Sequence, residues 1–303
     1  MSHLTGQISP RNGLRPHFWV GVGFMLVGHV LIFGRTPDGG HLRPFSDYWF
    51  AWVWYGYILV VDALVHRRDG HSLFVNRRAT FLAMLPLSAA MWWGFEWLNG
   101  FVHNWYYARP YDIPEWWANL WSCIFFSTVI PAVWETTDWV RGWLRLPEGS
   151  QRPRFRVPSF VLVGMVGMGV VWFILPVIWP LYFFPLIWGF LTLILDPINY
   201  HRGAPSLLGH LARGDVRTLG SLYVGGLICG FFWELWNFWA FPKWHYNIPF
   251  VDFARIFEMP ALGYLGYGPF AWEVYTFFWF MAGLVPGPKR AAQPVFEERP
   301  VED

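Results

Sequence analysis

The chain of 303 residues is 55% hydrophobic and 21% aromatic, with only 14% charged residues and a net charge of +2. An ordinary soluble domain carries about 25% charged residues, so this chain lacks the side chains to cover a water-facing surface. The composition excludes a disordered chain, a disulfide-stapled secreted domain and, with no basic footprint, a nucleic-acid binder.

A bilayer core takes about 20 mainly apolar residues per helix. Eight stretches meet that requirement, at about 17–34, 48–66, 79–101, 118–140, 158–178, 181–196, 218–240 and 263–285. The first has no small-residue cleavage pattern behind it and reads as a span, not a signal peptide. The second ends near Asp62, whose carboxyl is expected to cap and pair at the membrane edge. The third carries Glu96 and Asn99, and the fourth Pro131, Trp134, Glu135 and Asp138. The fifth and sixth form a hairpin broken by Pro176 and Trp179-Pro180, which predicts a tilted or partly interfacial pair. The seventh carries Glu234 and Asn237. A Gly-Tyr run, 262–268, leads into the eighth as a flexible or re-entrant segment, and that span carries Pro269, Trp272 and Glu273. Cys123 and Cys229 both fall in apolar runs and read as free buried thiols.

Basic residues alternate between loops. Arg11 and Arg15 precede the first span. Arg67, Arg68, Arg77 and Arg78 follow the second, Arg141 to Arg156 the fourth, Arg202, Arg213 and Arg217 the sixth, and Lys289 and Arg290 the eighth. The positive-inside rule then places both termini in the cytoplasm, in a cell (inner or plasma) membrane.

The chain also repeats itself. Trp54, Asp62, Arg68, Ser72 and Leu73 match Trp188, Asp196, Arg202, Ser206 and Leu207 at one offset (188 − 54 = 134). Glu96, Asn99, Pro131, Trp134 and Glu135 match Glu234, Asn237, Pro269, Trp272 and Glu273 at another (234 − 96 = 138). Four spans per half, an even number, make the halves enter the membrane in the same direction. The expected fold class is therefore an all-α polytopic membrane protein of about eight transmembrane helices. They form two tandem four-helix repeats related by a pseudo-two-fold axis along the membrane normal. The expected organisation is a tail at 1–14, a repeat at 15–146, a basic linker at 147–156, a second repeat at 157–286 and an acidic tail at 287–303.

The segments "WYGYILVVDALVHRRDGHSL", "FFPLIWGFLTLILDPINYHRG" and "ARIFEMPALGYLGYGPFAWE" resemble an uncharacterised family of multi-pass bacterial integral membrane proteins, from about Trp54 to Glu273. The resemblance implies a membrane location and no activity.

Ionisable groups inside spans are costly and mark functional sites. Glu96, Glu135, Glu234 and Glu273 are the candidate catalytic residues. Asn99 and Asn237, three residues beyond a glutamate, share its helix face and are placed to donate to it. Pro131 and Pro269, four residues before a glutamate, are expected to free a backbone carbonyl beside it. Trp134 and Trp272 are expected in an aromatic wall with Trp92, Trp93, Trp97, Trp233 and Trp236. Asp138, three residues past Glu135, either shares a proton with it or faces Arg141. His245, between Trp244 and Tyr246, is either a proton shuttle or a member of an interfacial aromatic belt. The alternative for every glutamate is a hydrogen-bonded lock within its own hairpin.

No phosphate-binding loop, Gly-x-Ser-x-Gly, His-Glu-x-x-His, histidine box or nicotinamide fingerprint is present, so chemistry here is carboxylate acid/base work. No metal site is expected and the sequence names no cofactor. Three readings stand. One is an intramembrane Glu/Asn/Trp site that binds or acid/base-transforms a lipid or isoprenoid-like molecule. The second is a proton-coupled transporter or carrier with its site between the repeats. The third is a non-catalytic subunit packed against other membrane subunits, for example in a bioenergetic or pigment-containing complex. A cavity meeting the four glutamates favours the first two; glutamates bonded within their own hairpins favour the third.

Overall fold

A computed structural model describes residues 13–110, 112–150 and 153–284. The expected acidic tail and most of the N-terminal tail, with Arg11, Arg152, Lys289 and Arg290, lie outside the described residues.

The chain is mostly helical, and helix covers part or all of each expected span. Helix α1 runs Pro16–Phe33, α2 Trp49–Asp69, a short α3 Leu73–Asn76 and α4 Arg78–Val102. Strand β1, Trp105–Ala108, precedes α5, Glu115–Phe126, and α6, Val129–Trp143. Then come α7, Ser159–Ile178, a single turn α8, Pro180–Phe183, and α9, Phe190–His201. Helices α10, Leu207–Arg213, and α11, Val216–Trp239, precede strands β2, Lys243–Tyr246, β3, Arg255–Ile256, and β4, Met259–Pro260. Helix α12, Tyr267–Ala282, closes the described chain.

Six helical stretches are long and apolar enough to cross a membrane: 16–33, 45–69, 115–143, 159–178, 180–201 and 216–239. Helix α12, at 16 residues, and α4, with Arg78, Glu96 and Asn99 along it, are not among the six. Leu26 and Val30 of α1 and Phe160 and Val163 of α7 are exposed, as lipid-facing side chains are. Trp19, Trp116, Trp143 and Trp179, near helix ends, are exposed as in an interfacial belt. Cys229 is buried and free, whereas Cys123 is free but exposed, against expectation.

Helix α1 packs on α2, α2 on α6 and α4 on α6. In the same order α7 packs on α9, α9 on α12 and α11 on α12. Helices α1 and α2 approach closely because Gly21 and Gly56 face each other; a Cβ on Gly21 would meet the Gly56 carbonyl oxygen at 2.7 Å. The core is aromatic: Trp54 packs against Trp233 and Trp236 with ring centroids 5.1 Å from each.

The fourth expected span is two helices. Pro131 is the third residue of α6 and Pro269 the third of α12. In a first turn the proline's missing N–H has no helical acceptor to lose. Neither proline therefore frees a carbonyl beside Glu135 or Glu273, and the expected kink is a break at Ser127–Thr128 instead. Ser88 of α4 satisfies that break, donating to the Phe126 carbonyl at 2.5 Å and accepting from Ile130 N–H at 3.0 Å.

Helix α11 is held at its start by Asp215, which caps Thr218 N–H at 3.1 Å, accepts the Thr218 hydroxyl at 2.7 Å and lies 2.8 Å from His210 Nδ1. Burial opposes ionisation of Asp215, but bonding to His210 and Thr218 outweighs it and holds the carboxyl well below its ordinary range. Asp215→Ala removes the cap and the carboxylate beside His210. The expected loss is roughly 1–3 kcal/mol, read as a lower midpoint in thermal unfolding of the detergent-solubilised chain.

Candidate functional site

Strands β1 and β2 leave the ends of α4 and α11 and pair with each other antiparallel, Trp105 opposite Tyr246, Tyr106 opposite His245 and Tyr107 opposite Trp244. Asn99 and Asn237 fix the two turns. Asn99 Nδ2 donates to the Trp105 carbonyl at 2.8 Å, and its Oδ1 accepts from Asn104 N–H at 2.9 Å and Trp105 N–H at 3.2 Å. Asn237 Nδ2 donates to the Trp244 carbonyl and its Oδ1 accepts from Trp244 N–H, both at 2.8 Å. Against expectation, neither amide bonds the neighbouring glutamate. The strand that follows each helix offers unpaired backbone groups, and the amides serve those.

The strands also supply the glutamates' partners. Glu96 Oε1 accepts from Trp92 Nε1 at 2.9 Å, Trp105 Nε1 at 3.1 Å and the Tyr107 hydroxyl at 2.5 Å. Glu234 Oε1 accepts from the Tyr246 and Tyr267 hydroxyls, each at 2.7 Å. Glu273 accepts from Leu191 N–H at 3.0 Å. Glu135 is fully buried, one turn from Asp138 and facing Asp62. The four glutamates are not brought together, and three bond within their own half of the chain.

What the fold does assemble is a cavity of about 730 Å³ beneath the β1–β2 ribbon, walled from both halves by Trp92, Trp105, Trp188, Trp233, Phe270 and Trp272 among others. That volume falls within the range of roughly 300–1,000 Å³ typical of small-molecule sites. Its few polar lining residues include Asp47, Lys243, Tyr107, Tyr246 and Tyr267, so the tyrosines that bond Glu96 and Glu234 line the cavity although the glutamates do not. Asn104 and Thr192 also line it; the Asn104 Oδ1 and Thr192 Oγ1 are buried without a hydrogen-bond partner among the described residues. The 262–268 run forms a 3-10 turn, Ala261–Gly266, into α12, and Leu262, Gly263, Leu265, Gly266 and Tyr267 line the cavity.

The expected aromatic wall is only partly realised. Trp272 lines the cavity and donates to the Leu219 carbonyl at 3.0 Å, whereas Trp134 stacks on Tyr275 at the contact of α6 and α12 and Trp97 is exposed on α4. The residues missed from sequence are Tyr107, Tyr246 and Tyr267. Tyr107 and Tyr246 occupy matched places after the repeated Glu-x-x-Asn, the one signal that pointed to them.

His245 stacks on Tyr106 and sits 3.0 Å from Glu258 Oε2, while Lys243 Nζ reaches Glu258 Oε1 at 2.5 Å. Burial raises the Glu258 carboxyl, but Lys243 and His245 outweigh it and hold it below its ordinary value. A lowered folded value means stability that is present above the unfolded value and lost as pH falls through the folded one. Hydrogen exchange of residues 243–260, normalised to unfolded rates, is therefore expected to accelerate on acidification below the ordinary carboxylate range. Glu258→Gln is expected to show the accelerated exchange already at neutral pH; unchanged protection in this variant would show the cluster to be without effect.

Among the described residues no group of three or more His, Cys, Asp or Glu is arranged to hold a metal ion. Comparisons of the chain with protein-family models, with curated proteins and with solved structures gave no match, so the site is read from its own residues.

Proposed function

We propose that this is a membrane protein of eight spans in two tandem four-helix repeats, with both termini on the cytoplasmic side of the cell membrane, which binds a lipid or isoprenoid-like molecule in the aromatic cavity between the repeats. The observation that carries the binding reading is the cavity. It is of ligand size, its walls are indole and phenyl rings drawn from both halves, and its polar lining is confined to a few places. An apolar chain gains from burial against those rings, while the tyrosine hydroxyls, Thr192 and Asn104 offer partners to one polar end.

The repeat reading is supported by the way matched residues exchange partners. Trp105 and Trp244 are equivalent by sequence, as are Tyr107 and Tyr246. The ribbon sets Trp105 opposite Tyr246 and Tyr107 opposite Trp244, which a two-fold axis through the Tyr106–His245 pair requires. Contacts of α4 with α7 and of α11 with α1 are likewise equivalent under that axis. The even number of spans and the alternation of basic loops support the orientation.

Binding rather than catalysis is the reading, because Glu96 and Glu234 stand behind tyrosines and Glu273 holds a backbone N–H. Purification from membranes in mild detergent followed by lipid mass spectrometry tests it. One lipid class enriched over the bulk membrane lipids is expected; recovery of bulk lipid alone would overturn the assignment.

A further inference from the structure

At the end of the bundle where Arg67, Arg68 and Arg141 gather, helices α2 and α6 place three carboxyl groups together. Asp62 is fully buried; its Oδ1 accepts from Phe74 N–H at 2.8 Å, and its Oδ2 accepts from the Ser72 hydroxyl at 2.9 Å and lies 2.9 Å from His17 Nε2. Glu135, also fully buried, faces Asp62 within hydrogen-bonding reach, and neither of its oxygens receives a hydrogen bond from a described N–H or O–H. Asp138, one turn further along α6 and 3% exposed, has no such donor on its carboxyl either.

The nearby hydroxyls are committed elsewhere. Thr136 and Thr137 donate to the Ala132 and Val133 carbonyls, both at 2.7 Å. Arg68 spends its N–H groups on Asp69 and on the Asp138 and Trp139 carbonyls. An ionised carboxylate only accepts hydrogen bonds, so two in contact without a donor repel across a low-dielectric interior. One proton removes the repulsion and supplies the bond. A metal ion would do the same, but no metal-binding arrangement is present among the described residues.

The second half of the chain provides an internal comparison, which rests on the tandem-repeat reading. The matched residues are Asp196, Glu273 and Thr276. Asp196 takes the Leu207 and Leu208 N–H groups at 2.7 and 2.9 Å, Glu273 takes Leu191 N–H, and threonine replaces Asp138. One scaffold thus occurs in two forms: the second half answers its carboxyls with backbone donors, and the first leaves Glu135 and Asp138 without any. The fold itself does not require that acidity.

We propose that Asp62 and Glu135 hold one proton between them, exchanged with solvent at the Arg-rich end through His17, and that Asp138 is its next acceptor. Exchange between Asp62 and Glu135 leaves the pair with a single net negative charge whichever oxygen carries the proton; passage to Asp138 neutralises Asp138 and leaves the pair doubly ionised until a second proton enters through His17. His17, with 13% of its side chain exposed, is the contact between Asp62 and the surface. The groups facing this pair include His17 of α1 and Arg15 just before it, Tyr57, His66, Arg68 and Asp69 from α2, Asp138 and Arg141 from α6, and Cys229 from α11, which donates to Thr136; the Tyr57 hydroxyl is bonded to Thr136 at 2.8 Å. Asp62 emerged from the sequence only as an edge cap, and its pairing with Glu135 is a product of the α2–α6 contact.

Infrared spectroscopy of the full chain in liposomes tests this. In a Glu234→Gln/Glu273→Gln background, which removes the two other buried carboxyls that have an oxygen without a donor among the described residues, a protonated-carboxyl C=O band is expected at neutral pH, and the variants below are read in that background. A shared proton needs both acceptors, so Glu135→Gln and Asp62→Asn are each expected to abolish it, the new amide supplying the missing donor and preserving the fold. His17→Gln is expected to retain the band but to slow its shift on transfer to D₂O at least tenfold. A band that survives in Asp62→Asn, or unchanged exchange in His17→Gln, overturns the proposal. So does the absence of a band in that background without further substitution, or in the wild type. Lipid recovery reports separately on the cavity, so failure of either reading is distinguishable from failure of the other.

Discussion

Gly266→Phe is expected to lower recovery of the bound lipid at least tenfold while leaving helix content intact. Gly266 lines the cavity at the turn into α12. Its φ of −72° and ψ of −26° are open to any L-residue, so the substitution carries no backbone strain. The nearest atom to a Cβ placed there is in the Trp188 ring at 3.7 Å, ordinary van der Waals contact. Because Gly266 and Trp188 both line the cavity, a phenyl group attached here is expected to take up space a ligand would fill. Occupying it removes apolar area the ligand would otherwise cover, and a tenfold loss corresponds to about 1.4 kcal/mol, less than burial of one large side chain contributes. The control is Gly94→Phe, at a position of α4 with nothing within 4 Å of an added Cβ. Lipid recovery is expected to be unchanged there. Undiminished recovery from a folded Gly266→Phe protein would place the ligand elsewhere.

The second large effect is on stability. Asn237→Ala is expected to destabilise the protein by roughly 2–4 kcal/mol, since it leaves the Trp244 N–H and carbonyl without their partner. Asn237 is fully buried, so the lost bonds are not replaced by bulk water. Asn99→Ala is expected to cost about as much, as Asn99 serves Asn104 and Trp105 in the same way. Asn237→Asp keeps the acceptor and forfeits the donor, and is expected to fall between wild type and alanine. Denaturant titration monitored by tryptophan fluorescence measures all three. Because the ribbon roofs the cavity, these variants are also expected to bind less lipid. An Asn237→Ala protein as stable as the wild type would show that the β1–β2 ribbon contributes nothing to the fold.

Several features of the site were legible from particular residues. The spacing Glu-x-x-Asn, found twice, was legible as a candidate site; that α4 and α11 each turn into a strand just beyond it was not. Asp138 was legible as a possible proton partner of Glu135; the lack of donors to both carboxyls among the described residues was not. What misled was the inference from helical spacing to side-chain bonding. Asn99 lies on the same helix face as Glu96, yet a helix end leaves backbone groups in need of partners, and the amide meets that need first. Pro131 looked like a kink inside a span, but the helix starts two residues before it, where a proline costs little.

The sequence by itself determined the membrane class, the apolar stretches and the paired pattern of glutamates, because these follow from composition and periodicity along one chain. Only the tertiary structure decided which groups meet. Residues far apart in the chain line one cavity, among them those of the paired strands β1 and β2, and Glu135 faces Asp62 because α2 packs on α6. Contacts between distant segments depend on how faces pack, and no single segment's spacing encodes that.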